Sequence, residues 1–291
     1  MDLHNGKEIK AKISIILAMS IFGTIGIFIR NIPFSSAMIA AVRGLIGAGF
    51  LYVFTLIKKG NVSWISVKNN IKILIWSGIF IGINWIFLFE AYRYTTVATA
   101  TLCYYLAPVF IILMSPLFLK EELTIRKLVC TFIALIGMFF VSGVFKGGIN
   151  IYQIKGILYG TAAALLYAGV IILNKKLENI DAYDMTIIQL LTAGLTVLPY
   201  AVLSGRIIEG TVSTTGIVLL IIVSIVHTGI NYAVYFGAIK RLKVQTAAIF
   251  SYIDPVVAIF LSNQILKEQM DLYGVIGAVL ILGATLVSEI K

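Results

Sequence analysis

Charge is scarce in this 291-residue chain: Asp, Glu, Lys and Arg together make up 12% of it, where a soluble domain carries about a quarter. With 60% apolar residues and a mean hydropathy of +1.01, that scarcity excludes a soluble protein. Hydrophilic stretches long enough for a catalytic or nucleotide-binding domain are missing too. Cysteine is nearly absent, and Cys103 and Cys130 both lie inside apolar runs, giving neither a disulfide framework nor metal-ligand spacing. With two His in the whole chain, no metal site is expected, and no cofactor. G-x-S-x-G, H-E-x-x-H and G-x-x-x-x-G-K-[ST] are lacking, which argues against the familiar hydrolases and an ATP-driven pump. The expected protein is not an enzyme.

What the chain does contain is apolar runs broken by charge, Pro and polar clusters: Ile13–Ile29, Ala37–Ile57, Ile73–Phe89, Val97–Leu119, Leu128–Phe145, Gly156–Leu173, Met185–Leu203, Gly216–Ile239, Val244–Leu266 and Leu272–Val287. A helix needs roughly 20 mostly apolar residues to cross a bilayer. The strand alternation of a membrane barrel is missing, so backbone hydrogen bonds in lipid must close within helices. The expected fold is all-α, a polytopic membrane protein of ten transmembrane helices. The first run follows a basic start but leads almost at once to the next span, so it reads as a retained span rather than a cleaved leader.

The net charge of +10 comes from basic residues scattered through short connectors, which does not suit nucleic-acid binding. Counted on alternate sides, Lys and Arg fall 16 on one and 6 on the other, with Arg43 left inside a span. The positive-inside rule then places both termini in the cytoplasm, with the cell membrane as the expected location.

An internal repeat organises the chain. A shift of 147 residues lays Asn84–Leu123 on Asn231–Met270 without a gap, with 14 of 40 positions identical. Asn84/Asn231, Tyr105/Tyr252, Pro108/Pro255, Ser115/Ser262 and Glu121/Glu268 are among them, so shared apolarity does not account for the match. At a slightly shorter offset Phe22-Gly23-Thr24 faces Tyr167-Ala168-Gly169. Residues 1–145 and 146–291 are thus expected to be two five-helix units. Five is odd, so the second unit enters the membrane from the opposite side. Inverted repeats are a construction of secondary transporters, with the substrate site near the midplane and access from each face in turn.

Ala91-Tyr92-Arg93-Tyr94-Thr95, Leu106-Ala107-Pro108 and Leu119-Lys120-Glu121 in the first half resemble the EamA-type permeases of the drug/metabolite transporter superfamily. Ala238-Ile239-Lys240-Arg241-Leu242, Asp254-Pro255-Val256-Val257-Ala258 and Leu266-Lys267-Glu268 do so in the second. The resemblance runs from about Ile13 to Ser288. It implies a central cavity between the repeats and carriage of small organic metabolites such as amino acids or related amines. Other branches of the superfamily carry nucleotide sugars or sugar phosphates. That alternative would call for a cluster of pocket Lys or Arg, and only Arg43 lies in a span. A membrane enzyme or scaffold is the remaining alternative. Protons are a possible second partner beside the small molecule and the bilayer, and the oligomeric state stays open.

Ionisable residues at membrane depth are costly and therefore candidates for function. Glu90 is either a proton- or cation-accepting group at the cavity mouth or an ion-pair partner of Arg93. Asp254 is either a proton or cation site or a cap on loosened backbone, because Pro108 and Pro255 should bend the fourth and ninth helices. His227 either lines the cavity or bonds a neighbouring helix. Arg43 either clamps a carboxylate with its forked donors, binds helix-end carbonyls or pairs with Asp254. Asn84 and Asn231 are interhelical glue or substrate contacts. Trp85, Tyr104, Tyr105, Tyr235 and Tyr252, together with Tyr232, supply aromatic surface for a pocket. Glu121 and Glu268, followed by the expected helix caps Thr124 and Asp271, read as turn-stabilising or gate-adjacent.

Overall fold

The fold is a computed structural model, described for residues 2–119, 124–141, 151–205, 207–239, 250–251 and 253–289. It is all-helical, the only strand-like contact among the described residues being a single bridge between Phe34 and Ile208. In order come α1 (Asp2–Arg30), α2 (Ser36–Lys59), α3 (Trp64–Tyr94), α4 (Val97–Tyr104), α5 (Ala107–Leu119) and α6 (Ile125–Val141). Then follow α7 (Ile151–Asn174), α8 (Ala182–Leu203), α9 (Thr214–Ile222), a π-helical segment (Val223–Ile230), α10 (Asn231–Ile239), α11 (Ile253–Gln264) and α12 (Leu272–Glu289). Seven described stretches are long and apolar enough to cross a membrane, and Leu128–Val141 and Leu272–Ala284 are shorter apolar helices. Part of the run Val244–Leu266 lies outside the described residues.

Local chemistry sets the boundaries. Ser35, Thr96, Asp181, Ser213 and Asp271 each accept a backbone N–H of the helix they precede, satisfying donors that a helix start leaves free. The expected single helix over Val97–Leu119 is broken between Tyr104 and Ala107. In a continuous helix the ring of Pro108 would collide with the carbonyl four residues back, that of Tyr104. The chain tightens there, with Leu106 N donating to the Cys103 carbonyl at 3.2 Å. Pro255 lies near the start of α11, and the segment just before it, residues 240–249 and Tyr252, lies outside the described residues, as do Lys120 and Glu121. The run Gly216–Ile239 departs from a plain α-helix: α9 widens into the π-helical segment before α10 resumes.

Glycine lets the helices meet closely, the usual device where apolar surroundings give little drive for association. At the α2–α8 crossing a Cβ on Gly44 would lie 2.8 Å from the Gly194 nitrogen, and at α6–α12 one on Gly137 would lie 2.8 Å from the Gly277 carbonyl oxygen. Gly78 and Gly82 face Thr192 and Val197 of α8, while Gly156 and Gly160 face Thr95 and Cys103. The principal helix pairings are α2 with α8, α3 with α7 and α8, α6 with α12, α1 with α10 and α11, and α2 with the π segment. The core is divided among a large cluster centred on α2, α3 and α8, a smaller one on α4, α5, α6 and α12, and a third where Ile15 and Met19 of α1 meet Ala238 of α10.

Candidate functional site

Two hollows stand out. The larger, about 500 Å³, is bounded by helix ends and connectors, including Arg30, Arg93, Thr95 and Glu268. Its charged groups are already engaged: Arg30 pairs with Glu268 at 2.7 Å, and Arg93 pairs with Glu209. The smaller, about 380 Å³, is bounded by residues of α1, α2, α3, α7, α10 and α11 and of the α4–α5 break. It holds groups of both charges that are not paired with each other, and it is the candidate site.

Arg43 forms one charged wall of this cavity, 4% exposed. Its guanidinium carbon sits 4.2 Å from the centroid of the Trp85 ring and its Nε donates to Thr228 Oγ1 at 2.6 Å. The ring face stabilises the cation and holds it against α3. Among the described residues no ion pair engages Arg43 or Asp254, and its expected pairing with Asp254 is not among the described contacts. Asp254 lines the cavity from α11, and the Tyr105 hydroxyl lies 3.0 Å from both its Oδ2 and the Ser251 carbonyl oxygen. Tyr105 comes from the Pro-induced break, so the loosened helix delivers the hydroxyl to the acid. Pro108 itself lines the cavity.

Aromatic surface fills the space between. Tyr104 packs on Tyr167 at 5.4 Å, Phe22 on Tyr232 at 5.4 Å and on Tyr235 at 6.1 Å, all five bounding the cavity. Asn84 also lines it, and its amide donates to the Ala163 carbonyl of α7. Asn231 makes the corresponding bond, to the Ala18 carbonyl of α1 at 2.9 Å. It does not border the cavity.

Other expected candidates lie elsewhere. Glu90 is half-buried on α3 outside the cavity, and Arg93 takes Glu209 and the Phe34 carbonyl as its partners. His227 is buried behind the cavity wall, its Nε2 2.8 Å from Thr24 Oγ1 and its ring edge against Phe28. Pro255 does not border the cavity, and Tyr252 lies outside the described residues. Sequence reasoning missed Phe22, Tyr92, Thr101 and Tyr167 as lining residues. For Phe22 and Tyr167 a signal existed, because the looser part of the repeat sets them opposite each other.

Comparison with known proteins agrees with this architecture. Residues 9–143 and 154–289 each match the EamA-like transporter family. A relative from Bacillus subtilis, named "Uncharacterized transporter YxxF", is 28% identical over 96% of this chain and 89% of its own. An "Uncharacterized transporter" of Archaeoglobus fulgidus is 25% identical over 94% of each chain. One solved crystal structure superposes with a TM-score of 0.61 over 95% of this chain and 94% of its own at 20% identity, which shows a shared fold.

Proposed function

The chain belongs to the EamA-like transporter family, and from that premise we propose that it is a secondary transporter for an amino acid or related amine, working by alternating access across the cytoplasmic membrane. Multi-pass membrane insertion and a transporter role follow from the family and the apolar helices. The cargo is our reading. The observation that carries it is a single cavity with a buried guanidinium, Arg43, and a carboxylate, Asp254, neither in an ion pair among the described residues. A zwitterion complements both, its carboxylate on the forked donors and its ammonium towards the acid and the rings. With Arg43 the one cationic side chain lining the cavity among the described residues, a multiply charged sugar phosphate or nucleotide sugar is a poorer match.

Two inverted units, 1–145 and 146–291, with ten spans and both termini cytoplasmic, complete the proposal. The helix pairings support it. Exchanging α1 with α7, α2 with α8 and α3 with the α9–α10 stretch turns the pairing α3–α7 into α10–α1, and α3–α8 into the π segment with α2. The Asn84 and Asn231 bonds exchange likewise, their acceptors Ala163 and Ala18 lying at the same offset as Tyr167 and Phe22. Coupling to protons, where present, is assigned to Asp254 in the cavity rather than to Glu90 outside it.

Uptake into proteoliposomes, screened across amino acids, amines, nucleosides and sugars with an imposed proton gradient on and off, tests the reading. Carriage of an amino acid or amine, lost in Arg43→Gln for carboxylate-bearing compounds, is the expected result. Carriage of sugars or nucleosides alone would refute it.

A further inference from the structure

Arg43 takes a hydrogen-bond partner 185 residues further along the chain. α2 and the π-helical segment approach so closely that a Cβ on Gly47 would lie 2.5 Å from Thr228 Cγ2, so glycine at 47 is what admits the threonine. The Thr228 hydroxyl donates to the Val223 carbonyl five residues back, at 3.1 Å, following the wider register of a π-helix. In an α-helix a threonine hydroxyl bonds the carbonyl three or four residues back, and Thr228 would be turned differently. With its one proton committed to Val223, Oγ1 offers a lone pair to Arg43 Nε, 2.6 Å away. Trp85 supports one face of the same guanidinium.

Together an edge and a face are fixed. We infer that Thr228 is a positioning residue: by accepting the Nε proton of Arg43 it leaves the paired Nη donors for the cavity and makes that end a carboxylate site. A planar carboxylate is met by two parallel N–H donors, so a guanidinium free to swivel would attract an anion without holding it in register. This rests on the reading of the cavity as an amino-acid site. It adds to that reading a residue outside the cavity wall and a reason for the π-helical register in this span, a helix form frequent at functional sites.

The test uses the full chain in a Trp64→Phe, Trp76→Phe background. The two replaced rings are 59% and 58% exposed, and their removal leaves Trp85 as the single indole. Thr228→Val keeps the shape and removes the acceptor; Thr228→Ser restores it. Thr228→Val should shift Trp85 emission as far as Arg43→Gln does, while Thr228→Ser matches the parent. In proteoliposomes, Thr228→Val should raise KM for L-leucine about tenfold, as loss of a hydrogen bond to a charged group does. Transport of 3-methylbutylamine, the same skeleton without the carboxylate, should change by less than about twofold. Unaltered Trp85 emission in Thr228→Val, or equal losses for leucine and the amine, overturns the inference. A parent that carries none of the amino acids refutes the reading of the cargo, and the Trp85 emission then decides the positioning role by itself.

Discussion

At the scale of single residues, the asparagines and acids separate into distinct jobs. Asn84 and Asn231 each tie a helix of one half to a carbonyl of the other, and each bond contributes about 1 kcal/mol in a membrane bundle. Replacing either by Ala should therefore lower the melting temperature of the detergent-solubilised protein by similar amounts. Only Asn84→Ala should also change KM, because Asn231 does not border the cavity; a KM effect from both would remove the distinction. For the acids, Asp254→Asn should abolish dependence of uptake on an imposed proton gradient, and Glu90→Gln should leave it intact. The reverse result would return the coupling role to Glu90. The asparagine pair was legible in the sequence because a polar identity within two apolar runs has little other cause. Thr228 was not legible, since its importance arises from a helical register that no residue type announces.

At the scale of elements, the tie around Glu268 carries the clearest prediction. Lys267 turns the connector with a φ of 57°, and the next side chain reaches across the bundle. Glu268 pairs with Arg30 at the end of α1, accepts the Val97 N–H at the start of α4 at 2.9 Å, and accepts the Ser262 hydroxyl of α11. Arg30 in turn donates to the Thr95 carbonyl. A carboxylate at a helix start also meets the positive end of the helix dipole. Loss of one charge-assisted bond costs about 1.5–3 kcal/mol, so Glu268→Ala should lower thermal stability and loosen this end of the molecule. A cysteine placed at Thr99, which borders the larger hollow, should then react faster with a soluble maleimide. Unchanged labelling would make the tie purely a turn brace. The repeat singled out Glu268 through its identity with Glu121, and Pro108 announced the break in the fourth span. The π-helical segment had no such herald, because Val223–Ile230 reads as ordinary apolar helix.

At the scale of the whole molecule, little beyond composition and a repeat was needed to expect a polytopic bundle, because lipid admits few ways to satisfy a backbone. Placing the cavity wall required more: which face of each helix turns inward depends on crossings such as Gly44 against Gly194, and these are set jointly by both halves. The inverted threading is the proposition on which an exchange of roles between the two units depends, and equivalent connectors test it directly. Glu122 and Gln269 are repeat partners at the 147-residue shift, one in each of the connectors that precede the last helix of a unit. If the units are inverted, these positions face opposite sides of the membrane, with Gln269 on the side poor in Lys and Arg. In intact cells, with Cys103 and Cys130 replaced, a membrane-impermeant maleimide should label Gln269→Cys at once and Glu122→Cys only after permeabilisation. Labelling of both from outside would mean parallel units, and would remove the inverted symmetry by which the two units exchange roles between the outward-open and inward-open states.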